Sequence, residues 1–329
     1  MTSLDLVRVN RALARADLLY TAVGARLLAA GWESDIFRVT LESRGTEIPS
    51  AVALRRYVGG SPVRPDPQEL EAITLSEVGA RGYPVPKVFA VVRECAPGGR
   101  PFTLMELIRG SSLAASVELG ERLGVLASLM VQLHSLDPAS LARRLGIEAT
   151  PRFEGHLDLL ARISGDAGLD DMGSAFAWLR RRGEPVTCMP DAILHWDLHP
   201  GNVLMDGRGP VIIDWTASGV GDPRYDVAWT RMLLGDAGPA FAGAYRRAGG
   251  ISLEDLDLFD ATCYLRRIIT LVACMRLGPN YMGFRPELAD RVVDLVPSLR
   301  GAYEGWLAAT GVELPGVAEF LDDSSRPME

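Results

Sequence analysis

His195-Trp196-Asp197-Leu198-His199-Pro200-Gly201-Asn202-Val203-Leu204 is the stretch whose reading decides the fold. A turn at Asp206-Gly207-Arg208-Gly209 comes next, then Val211-Ile212-Ile213-Asp214-Trp215 and Gly221-Asp222-Pro223-Arg224-Tyr225-Asp226. Asp197 lies in a polar loop, Asn202 stands one loop-length on, and Asp214 closes an apolar run of strand character. An amide and a carboxylate so placed can hold a divalent cation on a polyphosphate, while the first carboxylate orients a hydroxyl for attack. The remaining chain has to supply the binding surface for such a phosphate donor.

The bulk properties allow it. A chain of 329 residues is too long for one small core and suits two lobes. With 48% hydrophobic and 23% charged residues it reads as an ordinary globular protein. A net charge of −8 argues against a nucleic-acid partner, which needs a basic face. Acidity also suits a cationic substrate, though most acidic proteins are simply soluble. Cys95, Cys188, Cys263 and Cys274 lack C-x-x-C spacing, so neither zinc nor a disulfide framework is expected. No basic start precedes an apolar block, and the apolar run Ile268–Met275 is short and flanked by arginines. The expectation is a cytoplasmic chain with no membrane partner.

Upstream, residues 3–30 read as helix twice over, from Leu6, Val9, Leu13 and Ala16, then from Leu18, Leu19, Val23, Leu27 and Leu28. Ile36–Leu41 and Ala51–Tyr57 read as strands of a hairpin with a turn between them, and Pro67 opens a helix to about Ala80. Lys87–Val92 and Phe102–Ile108 are further strands about a turn at Ala96-Pro97-Gly98-Gly99. From Gly110 the pattern turns helical, with Leu119–Leu133, Tyr225–Leu234, Pro239–Ala248, Leu253–Leu277 and Pro286–Leu307 the clearest cases. The expected division is a helical extension over 1–30, a β-rich lobe over 31–110 and a helical lobe over 111–329.

Together these motifs resemble the aminoglycoside phosphotransferase family, small-molecule kinases with a protein-kinase-like fold. His195–Leu204 is similar to that family's H-G-D-x-H-x-x-N loop, and Asp214 and Gly221-Asp222-Pro223 come after it in the matching order. The resemblance implies a bilobal α+β fold and an ATP- or GTP-dependent O-phosphotransferase using Mg²⁺. Asp197 would be the catalytic carboxylate, Asn202 and Asp214 the metal ligands, and His195 and Asp222 the residues bracing the loop. Leu27–Val39 resembles the phosphate-covering hairpin, with Ser34 and backbone N–H groups as its cradle. Where the family has A-x-K, this chain has Ala53-Leu54-Arg55, so Arg55 is the expected phosphate-side cation. Glu69, Glu71 and Glu77 are candidate partners for it; the resemblance implies Glu71, whose distance to Pro84-Val85-Pro86 matches the family, with Glu69 as fallback. Met105, Glu106 and Ile108 would line the purine edge.

The resemblance further implies a nucleoside triphosphate and a small-molecule acceptor as partners, with a monomer or weak dimer as assembly. An aminoglycoside or other antibiotic leads as acceptor, which would make the chain an antibiotic-resistance protein. A macrolide or another hydroxylated metabolite is the alternative, and a catalytically silent kinase-like binding protein is the alternative of another class. Two acidic faces, Glu254-Asp255-Asp257-Asp260 and Glu287-Asp290-Asp294, could attract ammonium groups, with Asp257 and Asp260 the candidate acceptor residues. Helix-dipole preference and solvent exposure would explain the same carboxylates.

Overall fold

A computed structural model describes residues 4–15, 18–43, 49–63, 65–93, 100–147 and 152–323. The chain forms two compact units, Met1–Glu118 with Pro200–Ser218, and Leu119–His199 with Gly219–Glu329. The segment 200–218 thus clusters with the first unit, whereas the sequence alone places it in the helical lobe.

In the first unit, α1 (Leu6–Arg15) precedes β1 (Tyr20–Ala30), β2 (Ser34–Ser43) and β3 (Ala51–Tyr57); α2 (Pro67–Gly79) leads to β4 (Val88–Val92) and β5 (Phe102–Glu106). The five strands make one antiparallel sheet in the order β1-β2-β3-β5-β4. Val9, Ala12 and Leu13 of α1 join Phe37, Val39, Leu41, Val52, Leu54 and Leu104 in a shared core. The turns expected at 44–48 and 96–99 lie outside the described residues.

The second helix expected before residue 30 is corrected to β1. Two register shifts, at Ala22/Gly24 and Leu27/Ala29, break the alternation that would mark a strand. As the outer strand of the sheet, β1 also leaves Val23, Leu27 and Leu28 exposed, so no two-residue period separates core from solvent. The 1–30 segment is therefore helix followed by sheet, and its strand belongs to the β-rich unit.

Asp66 caps α2 by accepting the N–H groups of Gln68 and Glu69 at 2.8 and 3.2 Å, and Pro67 fills the first turn. Beyond β5, β6 (Ser111–Ser112) and the short α3 (Leu113–Ser116) precede the unit boundary. β6 pairs with β8 (Val203–Asp206), which pairs with β9 (Gly209–Ile212). Gly110 permits this pairing, because a Cβ there would stand 2.1 Å from the Met205 carbonyl oxygen.

The second unit is mainly helical: α4 (Leu119–His134), α5 (Ala139–Arg144), α6 (Arg152–Asp166), α7 (Gly173–Gly183), α8 (Arg224–Leu234), α9 (Gly238–Arg247), α10 (Leu256–Leu277), α11 (Val296–Thr310) and α12 (Pro315–Asp323). α10 is its axis, buried at Leu258, Ala261, Leu265, Ile268, Ile269 and Val272 and packed against α6, α7, α8 and α11. β7 (Ala192–Leu194) pairs with β10 (Gly219–Gly221) and delivers the chain to His195. The single helix expected over Pro286–Leu307 divides into a 3-10 segment, Pro286–Leu295, and α11. Pro297 sits in the first turn of α11, where its missing N–H cannot continue a preceding helix. The acidic stripe Glu287-Asp290-Asp294 consequently has no common α-helical face. Among the described residues no helix is long and apolar enough to cross a membrane.

One side chain fastens α1 to the sheet. Asn10 donates Nδ2–H to the Ala22 carbonyl at 3.0 Å and accepts the Ala22 N–H at 2.6 Å. Asn10→Ala should lower stability by about 1–3 kcal/mol, because it strips both bonds from a part-buried backbone. The urea midpoint reads it, and an unshifted midpoint would contradict the role.

Candidate active site

In the first unit the site is organised on Glu71, a residue of α2 that is 1% exposed. Arg55 donates Nη1–H to its Oε1 at 2.7 Å, the Trp215 N–H reaches the same oxygen at 3.0 Å, and the Tyr57 hydroxyl donates to Oε2. Burial pushes the Glu71 carboxyl up, and Arg55 pulls it back only in part. Arg55 extends the chain of charges through Nη2 to Asp214 Oδ1, also at 2.7 Å. Burial opposes its charge, yet Asp214 and Glu71 outweigh that, and the guanidinium is held protonated beyond its usual range. Asp214 has φ 67° and also accepts from the Thr216 hydroxyl at 3.0 Å, while its side chain stays 39% exposed.

The Arg55–Glu71 pairing expected from sequence is thus present, and Glu69 instead faces Arg93 at the surface. Both terminal nitrogens of Arg55 are held by carboxylates. Ser34 is buried at the start of β2, where its carbonyl accepts the Gly31 N–H across the hairpin turn. Met105 is buried in β5. The Glu106 N–H is taken by the Lys87 carbonyl and its carboxylate by Arg208, so of the expected edge only Ile108 lies beyond the last ladder pair. Asn202 is 9% exposed in the turn Pro200–Asn202, and its carbonyl accepts the Ile213 N–H at 2.9 Å.

The second unit holds the other half of the motif. Asp226, in the first turn of α8, accepts the His195 N–H at 2.8 Å on Oδ2 and the Trp196 N–H at 2.6 Å on Oδ1. His134 Nε2 lies 3.3 Å from the same carboxylate, and its Nδ1 meets the Tyr245 hydroxyl at 2.8 Å. The loop turns at Trp196, whose φ of 62° is a left-handed conformation costly to a bulky residue. The Asp197 N–H then donates to His195 Nδ1 at 3.2 Å, which makes His195 an internal brace. The Asp197 carboxylate is half-exposed, with Oδ1 3.4 Å from the Trp229 indole nitrogen and Oδ2 3.9 Å from His199 Nε2.

Two expectations change. Asp222 does not hold the loop over 195–202; it grips Arg224 through both oxygens and accepts the Met189 N–H at 3.2 Å. Its place two residues before Arg224 aims its oxygens at that guanidinium, and bracing falls to Asp226 one helical turn further on. The acidic face around Asp257 and Asp260 is partly paired within the fold. Arg182 of α7 bridges Asp255 and Asp257, each at 2.9 Å, and Arg231 of α8 pairs with Asp260 at 2.5 Å. Two arginines against Asp255, Asp257 and Asp260 weaken the pull on an ammonium group without cancelling it.

Sequence reasoning does not find Trp229 as a member of this network, because its contact with Asp197 joins residues 32 positions apart. His134 reads from sequence as a packing residue at a helix end, and its contact with Asp226 becomes visible only in the fold.

Both sets of ion pairs are open to measurement. Arg55→Met leaves Glu71 buried without its cation and should cost about 3–5 kcal/mol in denaturant unfolding, with partial recovery in Arg55→Met/Glu71→Leu. Burial pushes the Asp260 carboxyl above its ordinary 3.8 to about 6, with Arg231 opposing. Its folded-state pKa exceeds the unfolded one, so its contribution is full below the unfolded pKa and is lost as pH rises through about 6. The thermal midpoint of wild type should therefore fall relative to Asp260→Asn between about pH 4 and about pH 7, and a constant gap would refute the shift.

Comparison with known proteins accords with this architecture. Residues 24–260 match the phosphotransferase enzyme family. A streptomycin 6-kinase of Streptomyces griseus is 34% identical over 163 residues, which is 47% of this chain and 51% of that protein. The matched stretch thus spans about half the length of that relative. A spectinomycin phosphotransferase solved with ADP and spectinomycin superposes with TM-score 0.59 at 13% identity, over 94% of this chain and 100% of that one. A macrolide 2'-phosphotransferase from Brachybacterium faecium gives TM-score 0.53 at 18% identity, over 98% of both chains. At these identities the solved structures establish a shared kinase-like α+β fold. The chain belongs to the phosphotransferase enzyme family.

Proposed function

We propose that this protein is a small-molecule kinase that moves the γ-phosphoryl group of a nucleoside triphosphate to a hydroxyl of an antibiotic, an aminoglycoside first. The observation that carries the reading is Asp214, an acid in left-handed backbone whose Oδ1 is anchored by Arg55 and Thr216 while the side chain remains part-exposed. An anchored carboxylate with an amide at Asn202 suits Mg²⁺, a hard cation that takes oxygen ligands and few of them from protein. Bound there, Mg²⁺ would neutralise charge on the donor phosphates.

The chain's own residues divide the remaining work. Asp197 would accept the proton of the acceptor hydroxyl as that oxygen bonds to the γ-phosphorus and the bond to the β-phosphate bridging oxygen breaks, releasing nucleoside diphosphate. His195, with Asp226 behind it, would keep the Asp197 backbone in place. Ser34 and neighbouring N–H groups of the β1–β2 hairpin would cover the phosphates, with Arg55 the nearby cation and Met105 and Ile108 beside the purine. Either ATP or GTP fits this scheme.

Streptomycin is the first acceptor to test, because the relative that is 34% identical over 163 residues carries that activity in its name. The ion pairs at Asp257 and Asp260 favour recognition by shape and hydrogen bonding over bulk acidity. A macrolide remains the competing acceptor. In a panel of aminoglycosides and macrolides with ATP or GTP and Mg²⁺, mass spectrometry should find an acceptor heavier by one phosphoryl group. Asp197→Ala should lower the rate by about 10²-fold or more, the scale of a lost general base. Nucleotide binding without turnover of any acceptor would favour the silent binding protein instead.

A further inference from the structure

Asp197 sits at the end of a stack of aromatic and guanidinium groups, all within the second unit. Trp229 of α8 is 7% exposed and its indole Nε1 lies 3.4 Å from Asp197 Oδ1. An indole N–H can only donate, so this contact fixes one carboxylate oxygen and never competes for the proton the other would take. At that length the bond is weak unless its direction is held, which makes the support of the ring decisive.

That support is Arg266, on α10. Its guanidinium carbon is 4.6 Å from the Trp229 ring centroid and 4.3 Å from that of Trp196, the residue immediately before Asp197. The two indoles meet edge to face, with centroids 6.5 Å apart at 75°. One cation therefore gathers the residue preceding Asp197 and the residue donating to it. His156 stacks nearly parallel on Trp196 at 5.7 Å and 19°, and Tyr225 tilts against Trp196 at 5.0 Å. Burial and the nearby Arg266 push the His156 imidazole down to about 3, so it packs as a neutral ring and adds no repulsion. Such an assembly explains a tryptophan in left-handed backbone at position 196, where glycine would be relaxed: the side chain is required by the stack.

We propose that Trp229 is a positioning residue for Asp197, and that Arg266, clamped between Trp196 and Trp229, sets the direction of its N–H. With Oδ1 so held, Oδ2 is the oxygen presented to the acceptor hydroxyl. The proposal rests on the reading of Asp197 as the proton acceptor, and it adds residues to which nothing in the motif points. An attractive cation above the indole face also polarises the ring and makes its N–H a better donor.

The test has two arms. In steady-state phosphorylation of streptomycin with Mg²⁺ and ATP, Trp229→Phe should lower kcat about tenfold with both KM values within about twofold. Arg266→Met should lower kcat about threefold and Arg266→Lys restore most of it, as expected of a cation acting through the ring. The double variant Trp229→Phe/Arg266→Met should be no worse than Trp229→Phe alone, because both changes remove one pathway. The second arm needs no turnover. In protein labelled with 15N-tryptophan, the indole N–H resonance of Trp229 should shift in Asp197→Ala and in Arg266→Met, and stay in place in Asp255→Asn. An unchanged kcat in Trp229→Phe, additive losses in the double variant, or an indole resonance indifferent to Asp197→Ala would overturn the proposal. Should wild type leave streptomycin and the rest of the panel unphosphorylated, the kinase reading fails, and the resonance arm alone still decides whether Arg266 and Trp229 act on Asp197.

Discussion

Burying a carboxylate is tolerable only when hydrogen bonds and a cation replace the water it loses, and Glu71 has both. Its partners come from two separate stretches of chain: Arg55 and Tyr57 on β3, and the Trp215 N–H just after Asp214. None can move without exposing the charge, so sheet, helix and the loop carrying Asp214 are fixed by one side chain. Asp214 inherits its orientation through Arg55. The charged network of the first unit is therefore an electrostatic construction laid over an ordinary apolar core.

Asp226 repeats the device in the second unit with backbone donors. Two successive N–H groups, of His195 and Trp196, converge on its oxygens, which bends the chain there and turns Trp196 into left-handed space. His134 and Tyr245 close the far side. Both carboxylates lie at helix starts or on helices, where a rigid backbone resists the pull of the groups they gather. Precision at Asp197 and Asp214 thus comes from buried acids one step removed from them.

How much of this is legible in the sequence depends on whether a feature is local. β2, β3 and α2 with Pro67 in its first turn can be read from residue pattern and turn chemistry, while the His195–Leu204 motif and the Arg55–Glu71 pairing are read through the family resemblance. β1 reads as helix because bulges and an exposed outer position erase the period that separates strand from helix. The 3-10 turn before α11 is hidden because helical spacing in Pro286–Leu307 outweighs Pro297. That Asp226, and not the neighbouring Asp222, takes the N–H groups of His195 and Trp196 is visible only once the loop is folded against it. The pairing of Asp257 and Asp260 with Arg182 and Arg231 is likewise a long-range fact, and it weakens an inference that composition alone encourages.

An arginine at position 55 fixes protonation as well as geometry. A lysine buried between Glu71 and Asp214 would hold its proton conditionally, since desolvation depresses ammonium pKa values, and alkaline conditions could switch its bridge off. A guanidinium has no such exit. The link from the sheet to Asp214 is a permanent charge, indifferent to any pH the folded chain can survive, so the acid–base response of this charged network is left to its carboxylates.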